Sequence, residues 1–139
     1  MKIALFGSIF SEHYTKYIKH LIKKLNNQNV SIYIHEEFYE FLEKYIILSS
    51  DITTFKELTN HENIDYVFSI GGDGTLLKSA TFVKDSLIPI LGINTGRLGF
   101  ISSISTDQID IAIDNVLKKE YNIISRTVLE LETENNLFG

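Results

Sequence analysis

The stretch YVFSIGGDGTLLKS, residues 66–79, decides the fold of this chain. The apolar run Tyr66–Ile70 predicts a buried strand that stops at two glycines. Asp73 and a third glycine follow, and Thr75–Lys84 has the pattern of a helix. A buried strand that passes through glycines into a helix is typical of a parallel α/β sheet.

The segments on either side repeat this alternation of strand and helix. The pattern predicts an α/β fold, with an open, mostly parallel sheet and helices on both faces. The predicted strands are Lys2–Phe6, Val30–Ile34, Tyr66–Ile70 and Ile88–Ile93, and the predicted helices are Ser11–Asn26, Glu36–Tyr45, Thr54–Asn60, Thr75–Lys84 and Thr106–Lys118.

The last stretch of the chain departs from this alternation. Residues Ile123–Glu134 alternate between apolar and polar types, which predicts a strand, and ENNLFG reads as a turn. A turn without a returning strand would leave an unpaired sheet edge. We therefore expect an α/β nucleotide-binding domain over residues 1–120 and, over 121–139, the first strand of a second, all-β domain that is truncated.

Composition limits the classes of function. The 139 residues are 44% hydrophobic, and the net charge of −5 with scattered lysines argues against a nucleic-acid partner. The absence of cysteine excludes disulfides, thiolate zinc sites and cysteine nucleophiles. No signal peptide and no apolar run of membrane-spanning length are present, so a cytoplasmic protein without a membrane partner is expected.

Acidic and histidine side chains do not predict a metal site on the protein. The four histidines are far apart and follow no ligand spacing, so we expect them on the surface. Three aspartates share one face of the last helix, where a solvated polar face is expected: Asp107, Asp110 and Asp114.

Two glycine-rich loops follow neighbouring strands and are the candidate site. They are GGDGT (Gly71–Thr75) and GINTGRLGF (Gly92–Phe100). Ligands of such sheets bind outside the carboxyl ends of the strands, and glycines let backbone amides approach phosphate closely. We also expect Gly96 to require a positive φ or close backbone approach. Leu77 stands where both the P-loop and the dinucleotide fingerprint need glycine, which excludes both motifs.

Asp73 needs a separate explanation, because a carboxylate inside a phosphate loop would repel bare phosphate. It could instead hold a magnesium ion, a ribose hydroxyl or the proton of an attacking hydroxyl. A purely structural alternative is a tight turn in which the aspartate bonds its own backbone.

The two motifs together resemble those of the NAD kinase family. GGDGTLL alone is shared with a wider group of diacylglycerol kinases, sphingosine kinases and, in a variant form, phosphofructokinases, whereas GINTGRLGF is much narrower. The resemblance covers the whole chain. It implies a phosphofructokinase- or diacylglycerol-kinase-like N-terminal domain, followed by a β-sandwich domain that carries a further NAD-binding motif.

The resemblance also implies a reaction: transfer of the terminal phosphate of ATP, or of polyphosphate, to the 2′-hydroxyl of the adenosine ribose of NAD, giving NADP. Asp73 would act as general base, and magnesium would accompany the donor. Asp73 and Gly74 would also touch NAD. Backbone amides that would hold phosphate belong to Gly71, Gly72, Gly74 and Thr75.

Four more residues are candidates for nucleotide binding, each with a structural alternative. Phe100 would lie near the adenine of NAD, or be an ordinary core residue. Asn94 would bond substrate or, more simply, cap and bridge the two loops. Arg97 and Lys78 would reach phosphate, or be solvated.

The resemblance also bears on the oligomeric state and on the activity of this chain, and two alternative functions remain. NAD kinases are commonly dimers or tetramers built largely through the second domain. The further NAD-binding motif of the family would lie beyond Gly139, so this chain alone is expected to be inactive. Alternatives are a kinase of the wider group that acts on a lipid or sugar hydroxyl, and a non-catalytic nucleotide-binding module. The NTGRLGF segment argues against the first, and Asp73 inside a glycine loop argues against the second.

Overall fold

In the described part of the chain, six strands form one parallel sheet. The computed structural model describes residues 1–8, 12–58, 63–96, 99–102 and 104–128. The strand order is β3-β2-β1-β4-β5-β6, as in a doubly wound sheet. The strands are β1 (Lys2–Gly7), β2 (Ser31–His35), β3 (Thr53–Phe55), β4 (Tyr66–Ile70), β5 (Ile90–Asn94) and β6 (Ile104–Ser105).

Among the described residues, three α-helices lie between strands and a fourth follows β6, and the two faces of the sheet carry separate cores. The helices are α1 (Thr15–Asn27), α2 (Glu36–Leu42), α3 (Asp73–Val83) and α4 (Ile109–Lys118). Apolar residues of α1, α2 and α4 pack with Ile3, Leu5 and Phe68 on one face. Val83 and Phe82 of α3 pack with Ala4, Phe6 and Val67 on the other. The predicted α/β class, with helices on both faces of a parallel sheet, is confirmed.

Helix α1 shows why the sequence pattern located most elements well. Ile18, Leu21 and Leu25 recur at helical spacing, and all three are fully buried against the sheet. Burial of such a stripe contributes about 1.5–3 kcal/mol per large side chain and outweighs weak local propensity. Of the described helices, none is long and apolar enough to cross a membrane.

The helix predicted at Thr106–Lys118 is preceded by a capping box formed by Ser105 and Gln108. The Ser105 side chain accepts the amide of Gln108, and the Gln108 side chain accepts the amide of Ser105 at 3.3 Å. A 3-10 turn, Thr106–Gln108, precedes the α-helix. The serine is favoured because its short side chain satisfies an amide that the helix itself leaves without a partner.

The helix predicted at Thr54–Asn60 was wrong where the structure describes it. Residues Thr53–Phe55 form the edge strand β3, which pairs in parallel with Tyr33–His35. Phe55 is buried in the smaller core. A three-residue strand has no periodicity of its own, so its conformation is decided by the neighbouring strand. Asn60 lies outside the described residues.

The strand predicted at Ile123–Glu134 is not formed in its described part. Residues 123–128 have no regular secondary structure, and Ile123 and Ile124 are exposed. No described strand pairs with this segment, and strands acquire stability from such pairing. Residues 129–134 lie outside the described part of the chain.

Candidate nucleotide site

The two glycine loops meet at the carboxyl edge of the sheet, beside the point where the strand order reverses. This point lies between β1 and β4, and it is where doubly wound sheets open a ligand crevice. The first loop joins β4 to α3, and the second follows β5. The amide of Gly71 donates to the carbonyl of Ile93 at 2.9 Å, so the beginnings of the two loops are directly bonded.

Gly71 occupies a position that requires glycine. Its φ is +154°, and an added Cβ would lie 2.7 Å from the Cβ of Thr75 and 2.9 Å from the Oγ of Ser8. The Thr75 hydroxyl donates to the Ser8 hydroxyl at 3.0 Å. Thr75 is thus buried and ties the start of α3 to the end of β1.

The four backbone amides expected to hold phosphate are not equivalent. Those of Gly71 and Thr75 donate to the carbonyls of Ile93 and Gly72 inside the fold. Gly72 and Gly74 are exposed at the first turn of α3. First-turn amides lack partners within a helix and attract anions, so Gly72 and Gly74 carry the two of these four amides that are suited to an anion.

Asp73 begins α3, two residues before the predicted start, and its carboxylate reaches across to the second loop. Oδ2 accepts the amide of Phe100 at 2.8 Å, and Oδ1 accepts the amides of Ile101 at 3.1 Å and Ser102 at 2.9 Å. We call these three hydrogen bonds the Asp73 clamp. The aspartate therefore does not bond its own turn, as the structural alternative supposed, but bridges the two loops.

The clamp also sets the charge state of Asp73. The amides of Ser102 and Phe100, with a smaller contribution from Ile101, hold the pKa of the carboxyl below its usual range, although partial desolvation opposes them. Hydrogen bonds donated to a carboxylate favour its ionised form. Asp73 is consequently an anion in the site at neutral pH.

Asn94 is built into the second loop. Its side chain is 3% exposed, its Oδ1 accepts the amide of Gly96 at 2.8 Å, and its Nδ2 donates to the carbonyl of Ser102 at 3.4 Å. These bonds of Asn94 span the two ends of the second loop, which supports a structural role, but the predicted bond across the two loops is not among them. The expected need for glycine at position 96 is not met by the residues that the structure describes: its φ is not positive, and of their atoms an added Cβ would meet Asn94 Oδ1 alone, at 3.8 Å.

Three candidate residues remain: Phe100, Lys78 and Arg97. Phe100 is 99% exposed, so it is not the ordinary core residue of the alternative reading. Lys78 is exposed on α3, and its charge acts on His35 at the end of β2. Arg97 lies outside the described residues.

His35 contradicts the expectation that the histidines lie on the surface. It is 8% exposed, and the rings of Phe6, Phe55 and Phe82 surround it at centroid distances of 5.0, 5.6 and 5.0 Å. Burial lowers the pKa of His35. His13 and His20 are exposed, as expected, and His61 is outside the described residues.

Sequence reasoning missed two residues that shape the site. Ser8, at the end of β1, accepts a hydrogen bond from the Thr75 hydroxyl, and no sequence motif includes Ser8. Gly99 lies against the Asp73 carboxylate, where an added Cβ would overlap it. Its place between Leu98 and Phe100 in the second motif was the available signal, but the need for glycine there depends on a residue 26 positions earlier.

Fold and site together define a class of protein. It is a doubly wound α/β domain in which one carboxylate links two glycine loops at the carboxyl edge of the sheet. Residues 8–121 match the family model of the ATP-NAD kinase N-terminal domain. This chain belongs to that family.

Curated relatives and a solved structure agree with this assignment. A NAD kinase of Cytophaga hutchinsonii is 39% identical over 140 residues, covering 100% of this chain and 48% of the relative. One of Christiangramia forsetii is 36% identical over 136 residues, covering 96% and 46%. This chain thus spans about half the length of these relatives. A yeast NADH kinase solved in complex with NADH has the same fold, with a TM-score of 0.71 over 85% of this chain and 38% of that one, at 16% identity.

Proposed function

We propose that this chain is part of an enzyme that phosphorylates NAD at the 2′-hydroxyl of its adenosine ribose, giving NADP. The phosphate donor is ATP or polyphosphate. Family membership and relatives named NAD kinase support the proposal. The observation that carries it is the position of Asp73, an anionic carboxylate where the two glycine loops meet.

In the proposed reaction, a bond forms between the ribose O2′ and the terminal phosphorus, and the bond from that phosphorus to the leaving phosphate breaks. Asp73 receives the hydroxyl proton. Among the described residues Oδ2 accepts one hydrogen bond and Oδ1 accepts two, so we assign the proton to Oδ2, which keeps room for a further donor.

The clamp makes Asp73 a weak base, and phosphoryl transfer is a reaction in which a weak base suffices. Bonding to phosphorus develops late in a loose transition state, and the hydroxyl proton becomes acidic as it does so. The carboxylate then orients the hydroxyl and accepts the proton at the end of the step. A positioned base of this kind contributes about 10²–10⁴-fold to the rate.

Donor phosphates would lie against the exposed amides of Gly72 and Gly74, with Lys78 one turn further along α3. A magnesium ion would neutralise charge on the donor. No cluster of three acidic or histidine side chains suited to a metal occurs among the residues that the structure describes. We propose that the magnesium ion is held mainly by the phosphates of the donor, as is usual for nucleotide complexes.

The remaining proposals concern the whole protein. We infer that Phe100 contacts the adenine end of NAD and that Arg97 contributes to phosphate binding. Residues 1–120 form the α/β domain, and 121–139 begin a second, β-rich domain through which dimers or tetramers assemble. The full-length relatives, about twice as long as this chain, support a second domain. We place the enzyme in the cytoplasm.

The test is Asp73→Asn in the full-length protein, with Asp85→Asn as control. Asp85 is an exposed carboxylate in the turn after α3, so the control makes the same chemical change at the other end of the helix. We expect turnover of NAD to fall by about 10²-fold or more in Asp73→Asn and to stay near the parent in Asp85→Asn. Steady-state NADP formation measures both. Turnover within a few-fold of the parent in Asp73→Asn would remove the aspartate from the catalytic role.

A further inference from the structure

We propose that Asp73 is also a positioning residue, which fixes the second glycine loop through the clamp, and that Gly99 is required because it admits the carboxylate. This role is separate from proton transfer. Its catalytic consequence rests on the proposed function, but its structural part does not.

The arrangement of the clamp carries the first step. Three consecutive amides, those of Phe100, Ile101 and Ser102, converge on one carboxylate at 2.8–3.1 Å. The chain must curl around the carboxylate for this to occur, because consecutive amides of an extended strand point in opposite directions. An anion accepting several amides is a strong acceptor. The conformation of residues 99–102 is therefore tied to the position of Asp73.

Gly99 provides the second, independent observation. A Cβ built there would overlap the Asp73 carboxylate, at 2.5 Å from Cγ and 2.7 Å from Oδ2. Contact that close forces the carboxylate away from the loop. Gly96 in the same loop differs, because an added Cβ would make only an ordinary contact at 3.8 Å. The loop thus has no side chain at position 99, where the Asp73 carboxylate enters.

The clamp links the two parts of the proposed site. Phe100 follows Gly99 directly. Its ring is almost fully exposed, and its backbone amide is bonded to Asp73. The same bonds fix the orientation of the carboxylate, because Oδ1 accepts the amides of Ile101 and Ser102 while Oδ2 accepts that of Phe100. Docking of the loop and orientation of the base therefore occur together.

Substitution of Asp73 alone does not separate the two roles. The carboxamide of Asp73→Asn has a single acceptor oxygen, so its NH₂ group would face an amide N–H of the loop. That variant loses the base and opens the clamp at once. Gly99→Ala keeps the carboxylate and fills the space beside Gly99 that the carboxylate occupies. Gly96→Ala is the matched control.

The experiment is hydrogen–deuterium exchange of the full-length protein, followed in peptides that cover residues 99–102. In Gly99→Ala we expect the amides of Phe100, Ile101 and Ser102 to exchange about tenfold faster or more, because their acceptor has been displaced. Gly96→Ala should exchange at the parental rate. Asp73→Asn, which opens the clamp from the other side, should show the same acceleration and serves as the second variant if Gly99→Ala folds poorly.

Kinetics of NADP formation supply the functional arm. Gly99→Ala should lower kcat by about tenfold or more, with a smaller change in the KM for ATP, because the base is present but misplaced. Parental exchange in both clamp variants would overturn the clamp. Faster exchange with an unchanged kcat would overturn the positioning role. If the parent itself makes no NADP, the proposed function fails, and the exchange data still decide whether the clamp exists.

Discussion

Two titratable side chains at the carboxyl edge of the sheet show how environment sets chemistry at the scale of a residue. Asp73 is held ionised by the amides of Ser102 and Phe100, and the pKa of His35 is lowered mainly by burial. No hydrogen-bond partner for Nδ1 of His35 occurs among the described residues. Burial among aromatic rings favours the neutral imidazole and outweighs the opposing effects of Glu37, Glu36 and a backbone hydrogen bond at Lys56. The Asp73 carboxyl is therefore stabilised in its ionised form, whereas the His35 imidazole is stabilised in its neutral form.

His35 should make folding stability sensitive to mild acid. Its pKa lies below 6.5 in the folded state and near 6.5 when unfolded, so the unfolded state binds the proton first as pH falls. Stability is then full above about pH 6.5 and declines below it. We expect His35→Phe to flatten this decline, measured as urea unfolding about one pH unit above and below that value. His13→Phe, at an exposed site, is the control, and an equal decline in parent and His35→Phe would contradict the assignment.

At the scale of elements, an ion cluster joins α1 to α4. Lys24 Nζ lies 2.7 Å from Asp114 and 3.2 Å from Asp110, and it donates to the carbonyl of Asp110 at 2.8 Å. His20 Nε2 contacts Asp110 at 2.8 Å. The polar face expected to be merely solvated is thus a contact between two helices on the same face of the sheet.

Lys24→Met should loosen this contact between α1 and α4. The lysine is largely covered and makes three polar contacts, so its loss should cost about 1 kcal/mol of unfolding free energy, the upper end for surface pairs. The loss should shrink as salt is added, because the carboxylates are half exposed. Denaturant melts at low and high salt measure it, with Lys23→Met on the exposed face of α1 as control. A loss that does not depend on salt would show that packing, not charge, holds the helices.

At the scale of the whole molecule, the site occupies an open edge of a domain with complete cores on both faces of its sheet. Among the described residues, twenty buried ones form the larger core and six form the smaller one. Phe100 and Leu77, both beside the clamp, are exposed at 99% and 53%. A nucleotide resting there would have protein on one side, and holding an acceptor in reacting position requires contacts around it.

Residues 1–139 expressed alone should therefore fold but make little NADP. The two cores support a stable domain, whereas the open edge lacks the positioning that contributes up to about 7–11 kcal/mol in favourable cases. Circular dichroism with a thermal melt tests the fold. NADP formation from NAD, ATP and magnesium tests activity, beside the full-length Cytophaga hutchinsonii relative as reference. Equal turnover would show that this chain carries the whole acceptor site.

The amino-acid sequence by itself determined the class of fold and the place of the site. Buried strands and amphipathic helices such as α1 are specified by local periodicity, because each must present an apolar side to a core. The glycine loops mark the ends of β4 and β5, and parallel strands bring such ends to one edge. The two motifs together also predicted the family to which the chain belongs.

Only the tertiary structure decided the contacts between distant residues. The three-residue strand β3, the burial of His35 and the link from α1 to α4 depend on neighbours that no local pattern encodes. The same holds for Asp73: its sequence neighbours indicated a charge in a phosphate loop, but its partners are amides 27 to 29 residues away. The physical reason is that hydrogen bonds and steric fit act through space, whereas periodicity records only whether a side chain faces the core or the solvent.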